Sequence, residues 1–180
     1  YIALNIFGII CIELNKLDEA EKIFNEAIRI NQNYVSSYNN LGRCYSLLFN
    51  KERAFKLYQK ALNIDSNYVD AINNVANHYI EEGLYEKSLD YYFKALAIKK
   101  NDNEILFNIG CAYFYLKKYE LAEKYYKLSL AIDPLNSLLQ KNYAILLLSL
   151  RRFKEGWKYF DGRVGINDFR KVNHYFHNIK

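Results

Sequence analysis

The chain repeats itself every 34 residues, and this period constrains its fold more than any other feature. A shift of 34 aligns Leu4-Asn5-Ile6-Phe7-Gly8 with Tyr38-Asn39-Asn40-Leu41-Gly42, Ile72-Asn73-Asn74-Val75-Ala76 and Leu106-Phe107-Asn108-Ile109-Gly110. A weaker copy is Gln140-Lys141-Asn142-Tyr143-Ala144. The units run 1–34, 35–68, 69–102, 103–136 and 137–170, and 171–180 remain as a tail. Such a period marks a supersecondary unit that cannot bury its apolar face alone and stacks on its neighbours.

The matches recur where packing is tightest. Position 8 of the repeat is Gly8, Gly42, Ala76, Gly110 and Ala144, and position 20 is Ala20, Ala54, Ser88, Ala122 and Gly156. Position 24 is aromatic in all five copies, from Phe24 to Phe160, and position 27 is small until Arg163 in the last copy. Small residues let two helix backbones approach, and the aromatic fills the space between repeats. Each copy divides into two helical stripes. In the first, Leu4, Phe7 and Cys11 form one, and Ala20, Ile23, Phe24, Ala27 and Ile28 form the next. Asn15-Lys16-Leu17-Asp18 lies between them, with Asp18 expected as N-cap. Polar runs such as Asn31-Gln32-Asn33 and Asp133-Pro134-Leu135-Asn136 end the second helices. One Pro and seven Gly are too few for a loop-rich or sandwich chain. No stretch sustains strand alternation, so the chain is expected to be all-α.

These in-phase copies resemble tetratricopeptide repeats, 34-residue helix–turn–helix units. The resemblance covers residues 1–170 and implies an α-solenoid of stacked repeats wound as a right-handed superhelix. The departures are Arg163 and Leu147 in the fifth copy and Lys51 at position 17, where the others carry Leu17, Tyr85, Tyr119 and Phe153. Helix 1 carries Ile2, Ile6, Ile9, Ile10 and Ile12 beside its core stripe. The chain has no Met and begins at Tyr1, so it reads as a fragment. The apolar edge is expected to face removed repeats or another copy, making self-association a further expectation.

Half of the residues are apolar and a quarter charged, as in soluble globular proteins. No apolar run reaches the ~18 residues of a membrane span. Three dispersed Cys without CxxC argue against a disulfide framework or zinc site and point to a reducing, cytoplasmic setting. Residues 1–90 hold 9 Lys+Arg and 12 Asp+Glu, net −3; residues 91–180 hold 16 and 8, net +8. A basic end can attract nucleic acid, anionic lipid or an acidic protein, or simply form a solvated helical surface.

Catalytic motifs are missing: there is no phosphate loop, GxGxxG, HExxH or GxSxG. His174 and His177 could share a helical face but lack further ligands, and His78 reads as a packing residue. No catalytic residue, metal or cofactor is expected. The informative pattern is polar. Asn40, Asn74, Asn108 and Asn142 recur at position 6, Asn5, Asn39 and Asn73 at position 5, and Asn77 at position 9. Asn is a mediocre helix former, so an interior Asn needs a reason. Its amide offers donor and acceptor together, which suits an extended peptide backbone. The resemblance places these positions in a concave groove and is similar to the Asn-lined arrays of protein O-GlcNAc transferases. Codon bias and an unoccupied polar groove are the plain alternatives.

A carboxylate clamp of the chaperone-adaptor kind is not expected, because Asn5, Ile9, Asn40, Asp70 and Asn74 stand at the matching positions. Arg43 and Lys141 are the basic groove candidates, and Phe107, Phe114 and Tyr115 would add an apolar patch. The sequence therefore reads as a protein-interaction module that binds a protein or extended peptide. One rival is the substrate-recognition arm of a larger glycosyltransferase. It draws on the segment Arg152–Arg163, which is similar to segments that close repeat arrays ahead of such domains. A nucleic-acid-binding helical repeat is the other.

Overall fold

In the computed structural model, residues 1–161 are described. They contain ten α-helices and no strand, the helix–turn–helix solenoid architecture expected from the period. The first helices of the repeats are α1 (Ile2–Glu13), α3 (Val35–Leu47), α5 (Val69–Glu81), α7 (Asn103–Tyr115) and α9 (Ser137–Ser149). The second helices are α2 (Leu17–Ile30), α4 (Lys51–Ile64), α6 (Tyr85–Ile98), α8 (Tyr119–Ile132) and α10 (Phe153–Asp161). The chain forms two compact units that divide between Lys100 and Asn101. Unit 1 holds the first three repeats and unit 2 the last two. Arg163, the tail 171–180 and the pair His174 and His177 lie outside the described residues.

Each hairpin closes through one residue in the left-handed region, at position 15 of its repeat. These are Asn15, Phe49, Gly83, Lys117 and Arg151, with φ of 57°, 59°, 73°, 58° and 59°. Only Gly83 adopts this conformation without a Cβ penalty, which is roughly 1–2 kcal/mol for an L-residue. Phe49 also leaves its side chain 89% exposed, so ring burial does not offset that cost. This turn also moves the start of α2. Asn15 N donates to Ile12 O and Lys16 N to Cys11 O, so the new helix begins at once, with Lys16 as N-cap. Asp18 therefore lies inside the first turn and does not cap it. There its charge still complements the helix dipole. Side-chain caps occur instead at Asn50, Asp102 and Asn136, which accept from Arg53 N, Ile105 N and Leu139 N.

The small positions sit where the repeat demanded them. Ala27, Ala61, Ala95 and Ser129 have no exposed surface, and neither do Ala20, Ser88 and Ala122. A Cβ on Gly8, Gly42 or Gly110 would lie 2.6, 2.5 or 2.5 Å from the ring of Phe24, Tyr58 or Tyr126. Helix α1 departs from its expected stripe. Phe7 is 47% exposed, whereas Leu41 and Val75 at the same position are buried against the preceding repeat. Ile2, Ile6 and Ile10 share its exposure, but Ile12 is buried and Ile9 packs on the core. The apolar edge therefore consists of Ile2, Ile6, Phe7 and Ile10.

In unit 2 the half-buried Glu123 ties three segments together. It accepts hydrogen bonds from Tyr143 Oη (3.1 Å) and Arg152 Nη1 (2.9 and 2.8 Å) and pairs with Lys127 Nζ at 2.7 Å. Burial opposes its ionisation, but the bonds from Lys127, Arg152 and Tyr143 prevail and bring its pKa down to about 2. A carboxylate whose pKa is lower in the folded state stabilises that state fully above its unfolded pKa of ~4.3, and the contribution fades as pH falls toward the folded value. We expect up to about 2 kcal/mol after allowing for solvent screening. Urea midpoints of the parent and Glu123→Gln should differ at pH 7 and converge as acid approaches pH ~2. A gap unchanged by pH would exclude this linkage.

Candidate functional site

The candidate Asn residues separate into two structural kinds in unit 1. Asn5 on α1 and Asn39 on α3 are 5% and 4% exposed and lie between first helices, not on an open face. Their carboxamide oxygens accept from the next repeat. Asn40 Nδ2 donates to Asn5 Oδ1 at 3.1 Å, and Asn74 Nδ2 donates to Asn39 Oδ1 at 2.8 Å. The fully buried Ser37 adds Oγ–H to Asn5 Oδ1 at 3.4 Å. These are rungs at a spacing of 35, one residue longer than the repeat. Position 6 of one first helix reaches position 5 of the one before. A buried amide oxygen needs such a donor, because leaving it unmade costs about 1–3 kcal/mol.

The rungs orient the other half of each donor. With Nδ2 committed, Asn40 and Asn74 keep Oδ1 as a fixed acceptor, and both residues remain partly exposed. Asn77 accepts the Tyr92 hydroxyl through Oδ1. Arg43 is exposed and reaches back to Glu13 at 2.9 Å, a link between repeats 1 and 2. Asn73 is partly buried, and its Oδ1 is buried with no hydrogen-bond partner among the described residues.

Unit 2 carries a different arrangement. Asn142 Nδ2 bonds Leu138 O of its own helix, at 2.8 Å. Position 5 of the preceding repeat is Phe107, which offers no carbonyl for a rung. Asn108 is half-buried on α7. The expected apolar patch is reduced to Tyr115, which is 53% exposed, because Phe107 and Phe114 pack on the core of the unit. Gly156 has the close contact expected of it: a Cβ there would lie 2.9 Å from Leu148 and 3.3 Å from Ala144 O.

A cavity of about 110 Å³ opens in unit 1 beside the second rung. Ser46 on α3 and Lys51, Ala54 and Tyr58 on α4 form one side; Asn74, Asn77, His78 and Glu81 on α5 form the other. Lys51 and Glu81 pair across its rim at 2.8 Å. His78 stacks on Phe55 with centroids 4.2 Å apart, in keeping with a packing role. Burial raises the Tyr58 phenol to about 12, so it is a neutral donor at physiological pH. The departure of Lys51 from the apolar residues at position 17 was the sequence signal for this cavity.

Paired helices with small-residue contacts and inter-repeat rungs define a helical-repeat scaffold. The sequence matches the tetratricopeptide repeat over residues 2–67, 71–106 and 104–136, and the chain belongs to the tetratricopeptide repeat family. No curated protein matches its sequence. Solved structures share the fold. PilF of Pseudomonas aeruginosa superposes with a TM-score of 0.81 at 20% identity, covering 88% of this chain and 72% of its own. TTC0263 of Thermus thermophilus, a thermophilic TPR protein, gives 0.75 at 18%, covering 88% and 87%. MamA from Desulfovibrio magneticus RS-1 gives 0.75 at 16%, covering 88% and 89%. Family membership makes the chain a protein-interaction scaffold in general terms. No described helix is long and apolar enough to cross a membrane.

Proposed function

We propose that unit 1 captures an extended peptide by its main chain, with Asn40 and Asn74 as fixed acceptors. The observation that supports this reading is the commitment of their Nδ2 groups to the rungs, which fixes the side-chain amides of two partly exposed residues one repeat apart. An extended strand presents N–H groups to one side at every second residue, ~6.6–6.8 Å apart, so it can supply donors along such a face. Fixed acceptors avoid the entropy of ordering free side chains on binding. Asn77 and Arg43 flank this pair in the proposal, while Asn5 and Asn39 serve as its supports. Asn73, Asn108 and Asn142 stay as candidate contacts. The reading assigns no reaction to these residues.

The test is an N-methyl scan of a peptide selected for binding from an unstructured library. Methylating an amide that donates to Asn40 or Asn74 should weaken binding by about tenfold, the scale of one hydrogen bond. Methylation on the opposite edge should leave affinity unchanged. A selected peptide indifferent to methylation at every position would overturn the main-chain reading.

A further inference from the structure

Position 6 of the repeat is Asn40, Asn74, Asn108 and Asn142 in the later copies but Ile6 in the first. Position 2 departs with it: Ile2 stands where α3 and α5 carry Ser36 and Asp70. Ile2 and Ile6 are 53% and 54% exposed. Stacking of repeats does not account for them. The positions that meet a preceding repeat are 3, 7 and 10. There Ser37, Leu41 and Cys44 are buried in α3, and Ala71 and Val75 in α5. Phe7 and Ile10 belong to that set. Positions 2 and 6 stay open even with a repeat before them: Asp70 is exposed, and Ser36, Asn40 and Asn74 are partly exposed. Ile2 and Ile6 therefore face solvent by their register and form an apolar patch one helical turn long.

We propose that the peptide captured by Asn40 and Asn74 also places a large apolar side chain (Leu, Ile, Met or Phe) on Ile2 and Ile6. The inference rests on the main-chain reading, because it extends the same bound strand by one repeat. Continuity supports it. Asn40 bonds Asn5, the immediate neighbour of Ile6, at 3.1 Å, so the fixed acceptor and the isoleucines share one junction. Helices in direct contact lie roughly 8–10 Å apart, a gap that an extended chain crosses in about three residues. An N–H turned toward the helices sends the flanking side chains along the helix axes, the direction in which Ile2 and Ile6 follow one another. Charge selects the same class. Glu13 is the single charged side chain in the 12 residues of α1, and it is paired with Arg43. A charged side chain would lose hydration there without gaining a counter-ion, whereas an apolar one gains burial against two isoleucines.

The test pairs a peptide selected on the parent chain with the full-length variant Ile2→Ser, Ile6→Asn, which carries the α3 residues at the same positions. Calorimetric titration should show the variant binding about tenfold more weakly. Its urea midpoint should stay at the parent value, because both sites are exposed. An alanine scan should find one apolar peptide residue, about three positions from the methylation-sensitive amide, whose loss weakens binding to the parent about tenfold and to the variant hardly at all. Phe7→Ser, on the stacking face of the same helix, should leave affinity unchanged. Unchanged affinity in the double variant, an alanine scan without such a residue, or an equal loss from Phe7→Ser would overturn the inference. So would a parent whose self-association, and not its peptide binding, disappears in the double variant, since a second copy would then cover the patch. A peptide sensitive to N-methylation but tolerant of alanine at every position removes this inference and keeps the main-chain reading. One that needs Ile2 and Ile6 but ignores methylation does the reverse. Failure to select any peptide would overturn both.

Discussion

Replacing Gly110 with Leu is expected to destabilise unit 2 by about 3 kcal/mol, the upper part of the overpacking range. The first added carbon would already lie 2.5 Å from Tyr126 Cδ1 and 2.6 Å from Cε1. That ring has little freedom to withdraw. Tyr126 is 1% exposed and packs in a cluster with Ala122, Tyr143, Leu146 and Leu147. Phe107 and Tyr143 hold it from two directions, with centroids at 6.0 and 6.4 Å. Leu then adds three more carbons to a contact that cannot take one. Its better helix propensity returns only about 1 kcal/mol. Trp157 is the sole Trp and lies on α10, so its fluorescence in urea reports this unit. An unchanged midpoint would mean that the Gly–Tyr contact carries no packing constraint.

The fold was legible because packing imposes the same demand in every repeat. Gly or Ala at position 8 must meet an aromatic at position 24, and small residues at positions 20 and 27 must let the helices close. Copies in phase therefore report tertiary contacts directly, which a single helix pattern does not. The left-handed turns at Asn15, Phe49, Lys117 and Arg151 were hidden for the converse reason. Closing the hairpin fixes that conformation whatever residue is present, so four side chains bear a strain that only Gly83 announces. Lys51 was visible as a departure, but its consequence depended on Ser46, His78 and Glu81 arriving at one cavity from two other helices.

The Asn pattern was visible, but its division of labour was not. Positions 5 and 6 are adjacent in sequence and differ by about 100° around a helix, so polarity alone cannot say which one is buried. Pairing at a spacing of 35 would have separated them. It joins position 6 to position 5 of the preceding repeat, and it requires a carbonyl at the earlier site. Among the pairs that lie within one unit, that condition is met by Asn5 and Asn39 and fails at Phe107, where Asn142 bonds its own helix.

The double change Asn40→Ala with Asn74→Ala is expected to cost unit 1 about 2–4 kcal/mol, from two buried acceptors each losing a donor. Helix propensity alone points the other way, since Ala is preferred to Asn and a fourfold Asn→Ala variant would fold at least as well as the parent. The rungs reverse that expectation. Asn39 Oδ1 loses its 2.8 Å donor in a site 4% exposed, while Asn5 Oδ1 retains only the longer bond from Ser37. The gain in propensity, roughly 0.5 kcal/mol per site, offsets part of the loss. Asn142→Ala is the control and should change stability by no more than about 0.5 kcal/mol, because its amide bonds only its own helix. Adding Asn39→Leu to Asn74→Ala removes acceptor and donor together and should recover much of the stability. Urea midpoints and peptide affinity per folded molecule must be read on the same samples. A double variant as stable as the parent would show that the rungs do not hold the first helices. A destabilised variant whose folded fraction binds peptide undiminished would keep the rungs as structure and remove Asn40 and Asn74 from the binding face.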